Sequence, residues 1–252
     1  MIRPEWLKPG AAVGVTATSN GITKEQKIFR FQNGKRQMEM RRHPVIFTDN
    51  VFTADEKGRS SDGRTRGRQF NELVANKEVS AIIAAAGGDY LVEMLPYVDW
   101  ELLQRNPKWI QGYSDSTSLL YTITTRYDIA TAYGCHFGEF GMEQWQKPVI
   151  EAYEILAGER SKQNSFDAYE DGILDYETGL EGYRPNMPVY WKNGRKEEEI
   201  SITGRLLGGC TDVLFFLAGT PYDGTQSYIE RYKKDGILWY METFSANSEQ
   251  LE

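Results

Sequence analysis

The residues best placed to do chemistry lie together in Gly112-Tyr113-Ser114-Asp115-Ser116-Thr117. The preceding run Lys108-Trp109-Ile110-Gln111 reads as a short strand, and the following Leu119-Leu120-Tyr121-Thr122-Ile123 as a helix. A serine on so tight a strand-to-helix turn exposes its hydroxyl at the carboxyl edge of a sheet, where backbone N–H groups at the helix start point at whatever it attacks. The chemistry this suggests is nucleophilic attack. A second feature falls at the same edge: Val79 to Ala86 reads as a buried strand that ends in Gly87-Gly88-Asp89. Glycines there let the backbone approach a ligand and aim N–H groups at it, as an oxyanion hole requires. Taken alone, they are explained more simply by a turn that needs positive φ; beside the serine turn they gain a functional reading.

The elements that must position these turns follow from the apolar pattern. Ala11 to Ala17 is a small and β-branched run of strand length that ends in the turn cluster Thr18-Ser19-Asn20-Gly21. Lys24 to Arg42 reads as a helix interrupted at Asn33-Gly34, and Pro44 to Phe47 as a second strand. Arg64 to Lys77 is helical, Tyr90 to Leu95 and Trp100 to Leu103 are short helical pieces, and Ile129 to Tyr133 is a further strand. Strand and helix alternating at this spacing predict an α/β fold: a parallel sheet with helices on both faces and ligands at the carboxyl ends of its strands. From Ser161 to Glu181 the composition shifts to Asp, Glu, Gly, Ser and Tyr, which predicts a linker. Beyond it, Pro188 to Trp191 and Ile200 to Ile202 read as strands, Thr211 to Leu217 as an apolar helix, and Gly236 to Met241 as a buried strand that stops at Glu242.

Bulk properties narrow the function class. A chain of 252 residues that is 40% hydrophobic can fill two cores. With 29 Lys and Arg against 36 Asp and Glu, its net charge of −7 argues against nucleic acid or an anionic membrane as the main partner, and for a small-molecule or peptide substrate. The two cysteines, Cys135 and Cys210, show neither metal-ligand spacing nor a secreted disulfide pattern, which suggests the cytoplasm. No apolar run approaches the roughly 18 residues of a membrane span, and the start lacks the pattern of a signal peptide. The abundant acidic residues show no metal-ligand spacing either, and the predicted chemistry needs no metal or cofactor. Gly87-Gly88-Asp89 lacks the Gly-Lys-Ser/Thr ending of a phosphate loop. The basic run holding Arg59, Arg64, Arg66 and Arg68 reads as charges on a solvated helix face.

Four separated segments, in order and spacing, resemble the serine peptidases that comprise muramoyl-tetrapeptide L,D-carboxypeptidases and microcin C self-immunity peptidases. They are Gly87-Gly88; Leu95-Pro96-Tyr97-Val98-Asp99 through Asn106-Pro107-Lys108; Gly112-Tyr113-Ser114-Asp115 with Ser116-Thr117; and Gly204-Arg205-Leu206-Leu207-Gly208-Gly209. A fifth, Asp235 to Glu242, is similar to the family's apolar strand with its acidic end. The resemblance implies a Ser-Glu-His triad acting on an amide bond, with Ser114 as nucleophile, Glu242 as the carboxylate that orients the histidine, and the N–H groups of Gly88 and Asp115 as the oxyanion hole. It implies Gly87, Tyr133 and Trp191 as substrate-lining residues, and a muropeptide or a peptidyl-nucleotide as substrate. Tyr133, Trp191 and Phe137-Gly138-Glu139-Phe140 lean toward the immunity branch. The implied architecture is an amino-terminal α/β domain (1–160), a linker (161–181) and a smaller, strand-rich carboxy-terminal domain (182–252), in a homodimer.

One member of the triad is missing from the pattern. The family's histidine lies well beyond the acidic strand end, and this sequence stops ten residues after Glu242. The expectation is a fragment with an incomplete second domain; the alternative is a binding protein of the same fold that has lost its base. His136 lies near the catalytic edge, but a structural or substrate-lining role suits it better than a substitute base. His43 reads as ordinary surface or packing. Cys210 stands where the family commonly has asparagine, which removes one polar contact, and both cysteines read as buried small hydrophobes.

Overall fold

A computed structural model describes residues 1–172, 176–194, 199–247 and 249. Five strands, β1 (Ala12–Thr16), β2 (Val45–Phe47), β3 (Val79–Ala84), β4 (Trp109–Gly112) and β5 (Ala132–Tyr133), form one sheet in the order β2-β1-β3-β4-β5. Every pairing in it is parallel. The crossovers carry α1 (Glu25–Met40), α2 (Gly63–Ala75), α3 (Trp100–Arg105) and α4 (Thr117–Tyr127), and α5 (Lys147–Ala157) follows β5. The fold is α/β, as the alternation predicts.

The strand residues divide between two cores. In β3, Ile82 joins Phe70 and Leu73 of α2 with Leu119 and Ile123 of α4 on one face. Its neighbours Ala81 and Ile83 join Phe31 and Met38 of α1 with Val149 and Leu156 of α5 on the other. This period of two, apolar on both sides, is why the strand reads as an unbroken apolar run. At β1, Gly14 lets α2 settle close, because a Cβ there would lie 3.0 Å from both methyls of Leu73.

Helix α1 runs straight through Asn33-Gly34, contrary to the predicted interruption. The glycine faces the turn Phe137–Gly141, where a Cβ would come 3.1 Å from the Phe137 ring, and the Asn33 amide donates to the carbonyls of Gly141 (2.9 Å) and Met142 (3.3 Å). Tertiary packing therefore outweighs the glycine's propensity cost of about 1 kcal/mol.

The remaining elements are smaller. Strands β6 (Ala168–Tyr169) and β7 (Met187–Pro188) pair antiparallel, and β6 falls within the stretch read as linker. Strand β8 (Arg205–Cys210) leads into α6 (Thr211–Leu217) and α7 (Thr225–Tyr232), then pairs in parallel with β9 (Ile237–Glu242). The segment Ile200 to Ile202 is not a strand, and β7 stops short of Val189 to Trp191. Strand β9 is half-buried to exposed rather than buried, because in this two-stranded sheet Trp239 and Met241 remain uncovered.

Candidate active site

The nucleophile turn begins where β4 ends. Ser114 adopts φ +57°, a left-handed conformation that costs a β-carbon residue about 1–3 kcal/mol unless its surroundings enforce it. They do: the Ser114 N–H donates to the Tyr133 hydroxyl (3.0 Å), and the Ser116 N–H to the Tyr113 carbonyl (3.2 Å). A Cβ at position 112 would lie 2.6 Å from Ser116 Oγ, so glycine lets the turn fold back over the strand end. A Cβ at position 87 would lie 3.1 Å from Ser114 Oγ. The two turns singled out in the sequence thus meet, with the serine hydroxyl against the bare backbone of Gly87.

The Asp115 side chain locks them together. Its Oδ2 accepts from the N–H groups of Tyr90 (3.0 Å) and Leu91 (2.9 Å), which fixes the turn after β3 against the start of α4. Burial pushes this carboxyl above its ordinary range, while its hydrogen bonds, including one from Ser19, pull the other way. Gly88 has φ +144°, and a Cβ there would fall 2.5 Å from Ser19 Oγ and 2.6 Å from Asn20 Oδ1. No side chain fits. Arg66, fully buried, donates to the carbonyls of Thr18 (2.9 Å) and Tyr90 (2.8 Å) and pairs with Glu93, tying the turn after β1 to the same assembly.

Glu242 arrives from the β8–β9 pair. Its Oε1 accepts from the Tyr133 hydroxyl at 2.7 Å, and its backbone carbonyl accepts from Thr211 Oγ1 at 3.0 Å. The Cys210 N–H donates to Thr117 Oγ1 (3.0 Å), anchoring the end of β8 to the first residue of α4. Ser114 and Glu242 are therefore connected through one phenol, which accepts from the serine's backbone and donates to the carboxylate. Burial and the Glu242 carboxylate hold the Tyr133 hydroxyl well above the usual phenol range, so it stays a donor.

A cavity of about 360 Å³ opens on Ser114, walled by Gly87, Tyr113, His136, Glu139, Arg30 and Tyr176 among others. His136 is buried and stacked on Tyr113, with ring centroids 4.1 Å apart. Its Nε2 lies 3.1 Å from the Tyr113 carbonyl and 3.4 Å from Ser116 Oγ. Burial lowers its pKa to about 4, so it is neutral at pH 7. Among the described residues, no imidazole hydrogen-bonds the Ser114 hydroxyl. Glu139, half-buried, accepts from the Tyr113 hydroxyl at 3.2 Å and is pushed up to about 7 by burial.

Comparison with known proteins gives this geometry a family. Residues 13–134, from β1 to the end of the β5 strand, match the LD-carboxypeptidase N-terminal domain of the S66 peptidases. Over these residues the chain matches the LD-carboxypeptidase family. It is 36% identical over 190 residues to a putative carboxypeptidase of Treponema pallidum, an alignment that covers 71% of this chain and 52% of that protein. It is 41% identical over 76 residues to the microcin C7 self-immunity protein MccF of Escherichia coli, covering 30% and 22% of the two chains. A solved structure of MccF in complex with glutamyl sulfamoyl guanosine superposes with a TM-score of 0.76 at 22% identity, over 96% of this chain and 70% of that one; this likeness shows a shared fold. The chain spans about half the length of the curated relatives it matches.

Within this family frame, the remaining expected residues divide. Tyr133 meets the site from beneath, as the link between Ser114 and Glu242, and is not among the residues that wall the cavity with Ser114. Trp191 is not brought to the cavity: it is 82% exposed, and its indole N–H donates to Ser165 Oγ. The basic run is not a uniformly solvated face, since Arg66 is interior and Arg59 pairs with Asp55 and Glu93. Cys210 is buried and Cys135 half-buried; burial raises their thiols to about 11 and about 12, far from a thiolate nucleophile. His43 is wholly interior, between the Ala11 carbonyl and the Tyr153 hydroxyl, so it belongs to packing and not to the surface. Among the described residues, no three His, Cys, Asp or Glu side chains are placed to hold a metal ion. The sequence reading missed Arg30 and the role of Glu139. The signal for Glu139 was an acid between two phenylalanines just past a strand's carboxyl end; Arg30 carried none, being one cation of a polar helix.

Proposed function

We propose that the protein is a serine peptidase of the L,D-carboxypeptidase type, which hydrolyses an amide bond in a muropeptide or peptidyl-nucleotide through an acyl-enzyme on Ser114. The observation that carries this reading is the left-handed Ser114, its hydroxyl against Gly87 and its backbone tied through Tyr133 to Glu242. Ser114 Oγ attacks the carbonyl carbon, and the backbone N–H groups of Gly88 and Asp115 receive the developing oxyanion. The amine then leaves with a proton, and water releases the acid from the ester. Glu242 has the role of orienting the base; with Oε1 engaged by Tyr133, its other oxygen is the one for an imidazole N–H. The base itself is not assigned to a residue of this chain. The glutamyl sulfamoyl guanosine bound by the MccF relative supports an aminoacyl- or peptidyl-nucleotide as one substrate class.

The same proposal places residues 1–160 as the catalytic α/β domain, 161–181 as linker and 182–252 as part of a second domain, in a cytoplasmic homodimer. Among the described residues, no helix is long and apolar enough to cross a membrane. A second reading is a binding protein of the same fold, and the engagement of His136 by Tyr113 and Ser116 favours it. Turnover of an L,D-tetrapeptide muropeptide and of an aspartyl sulfamoyl adenosine by the unmodified protein and by Ser114→Ala separates the two. Ser114-dependent release of the amine supports the peptidase. Equal turnover by the variant overturns it, and tight binding without turnover selects the second reading.

A further inference from the structure

The turn cluster after β1, Thr18-Ser19-Asn20-Gly21, makes and breaks no bond in the proposed reaction, yet it reaches both residues whose N–H groups receive the oxyanion. The Asn20 N–H donates to the Gly87 carbonyl at 3.2 Å. The Gly87–Gly88 peptide is trans, and in a planar trans peptide the C=O and the N–H point to opposite sides. Holding that carbonyl against the β1 turn therefore directs the Gly88 N–H away from it.

Ser19 supplies a second hold. It is fully buried, and its hydroxyl accepts from the Tyr90 N–H (3.0 Å) and donates to the Asp115 carboxylate. The Tyr90 N–H is shared with Asp115 Oδ2, also at 3.0 Å, so hydroxyl, carboxylate and N–H close a ring of three contacts. Gly88 packs on this ring, because a Cβ at that position would lie 2.5 Å from Ser19 Oγ. The backbone of the serine is itself fixed. Arg66 Nη1 donates to the carbonyls of Thr18 (2.9 Å) and Tyr90 (2.8 Å), and the Ser60 N–H donates to the Ser19 carbonyl (2.9 Å). A hydroxyl so placed bonds a carboxylate, which makes the contact stronger than one between neutral groups.

We propose that Ser19 is a positioning residue for the oxyanion hole. It acts on one donor through the Asp115 side chain and on the other by contact with Gly88, and so sets how the two N–H groups are spaced and aimed. This inference rests on the reading of Ser114 as the nucleophile and of Gly88 and Asp115 as its oxyanion donors. Loss of one such donor costs roughly a hundredfold to a thousandfold in rate, so a pair that is kept but allowed to drift should lose about tenfold. The loss falls on the tetrahedral state and not on the encounter complex, since only there does charge develop on the oxygen. A serine that merely stabilised the fold would show neither effect.

Saturation kinetics of Ser114 labelling by a fluorophosphonate, whose phosphoryl oxygen takes the place of the oxyanion, separate the two terms. Ser19→Ala should lower the limiting labelling rate about tenfold and leave the half-saturating concentration unchanged. Ser19→Thr, which keeps the hydroxyl, should restore the rate. Phosphorus NMR of the Ser114 adduct should show a displaced resonance in Ser19→Ala, because the bound phosphoryl oxygen accepts from misaimed donors. Thermal unfolding sets the temperature at which every variant is fully folded, and the rates are compared there. An unchanged limiting rate in Ser19→Ala would overturn the inference, even with a lowered unfolding midpoint, and so would a rise in the half-saturating concentration alone or an unmoved phosphorus resonance. Failure of the underlying reading looks different: an unmodified protein that is not labelled on Ser114 removes the nucleophile and this inference with it, whereas a labelled protein indifferent to Ser19→Ala overturns this inference alone.

Discussion

Replacing Tyr133 by phenylalanine removes one oxygen that serves three partners. It accepts from the Ser114 N–H at 3.0 Å and from Thr117 Oγ1 at 3.3 Å, and donates to Glu242 Oε1 at 2.7 Å. The ring is retained, so its packing against Tyr240, with centroids 5.4 Å apart, survives. The loss of a neutral hydrogen bond costs about 1 kcal/mol, and that to a carboxylate about 1.5–3. Glu242 is exposed and water replaces its donor, which puts the carboxylate term at or below the bottom of that range. The Ser114 N–H has no such freedom, since it is held by a left-handed turn. The sum is about 2–3 kcal/mol of stability, or roughly 4–12 °C in Tm for a chain of this size. Urea unfolding followed by tryptophan fluorescence measures the first quantity. The rate of phosphonylation of Ser114 by a fluorophosphonate measures the second consequence, a nucleophile turn released from its anchor, with at least a tenfold fall expected. A variant with unchanged midpoint and unchanged labelling rate would refute the idea that Tyr133 couples Ser114 to Glu242.

Other perturbations test separate contacts. Gly87→Ala sets a methyl 3.1 Å from Ser114 Oγ, so it should depress Ser114 labelling at least tenfold while shifting the urea midpoint little; normal labelling would contradict the close approach. Gly209→Ala puts a Cβ 2.5 Å from Thr117 Cγ2 at φ +145°, and should lower stability by about 2–4 kcal/mol by urea titration; a neutral effect would mean that β8 does not bear on the start of α4. Two desolvated groups should give stability opposite pH slopes, each at most about 1.4 kcal/mol per unit. His136 is held near 4 against an unfolded value near 6.5, so the unfolded chain gains a proton first and stability falls as pH drops from 6.5 to 4. Glu139 is raised to about 7 from an unfolded value near 4.5, so its contribution is full below 4.5 and is lost as pH rises through 7. Glu139→Gln should therefore steepen the acid loss of stability relative to the unmodified chain; an identical pH profile would show that Glu139 does not titrate where its burial places it.

The legibility of this chain in its sequence varies with where the energy of each element resides. Strands β1, β3 and β4 are buried on both faces, so their apolar runs announce them directly, and the serine turn between β4 and α4 follows from that spacing alone. Asn33-Gly34 misleads because propensity is local, while the contacts that carry α1 through it, to Phe137 and Gly141, come from a segment about a hundred residues away. The segment Ile200 to Ile202 alternates like a strand, yet strand character needs a neighbour and β9 pairs with β8 instead. Arg66 shows the converse: a helix-start arginine reads as solvated until two loop carbonyls and Glu93 take it inside. Tyr133 could be named from the sequence, but its role could not, since the sharing of one hydroxyl by Ser114, Thr117 and Glu242 is a property of three dimensions. The same holds for Arg30, which the carbonyls of Gly138, Gly179 and Glu181, all more than a hundred residues away in sequence, take into the interior.

The central claim is that Ser114 is the presented nucleophile, and covalent mapping tests it most directly. Incubation with a fluorophosphonate followed by intact-mass and peptide mass spectrometry should find one phosphonyl group, on Ser114, and none in Ser114→Ala. An unlabelled protein, or a label carried by Ser116 or another serine instead, would contradict the account.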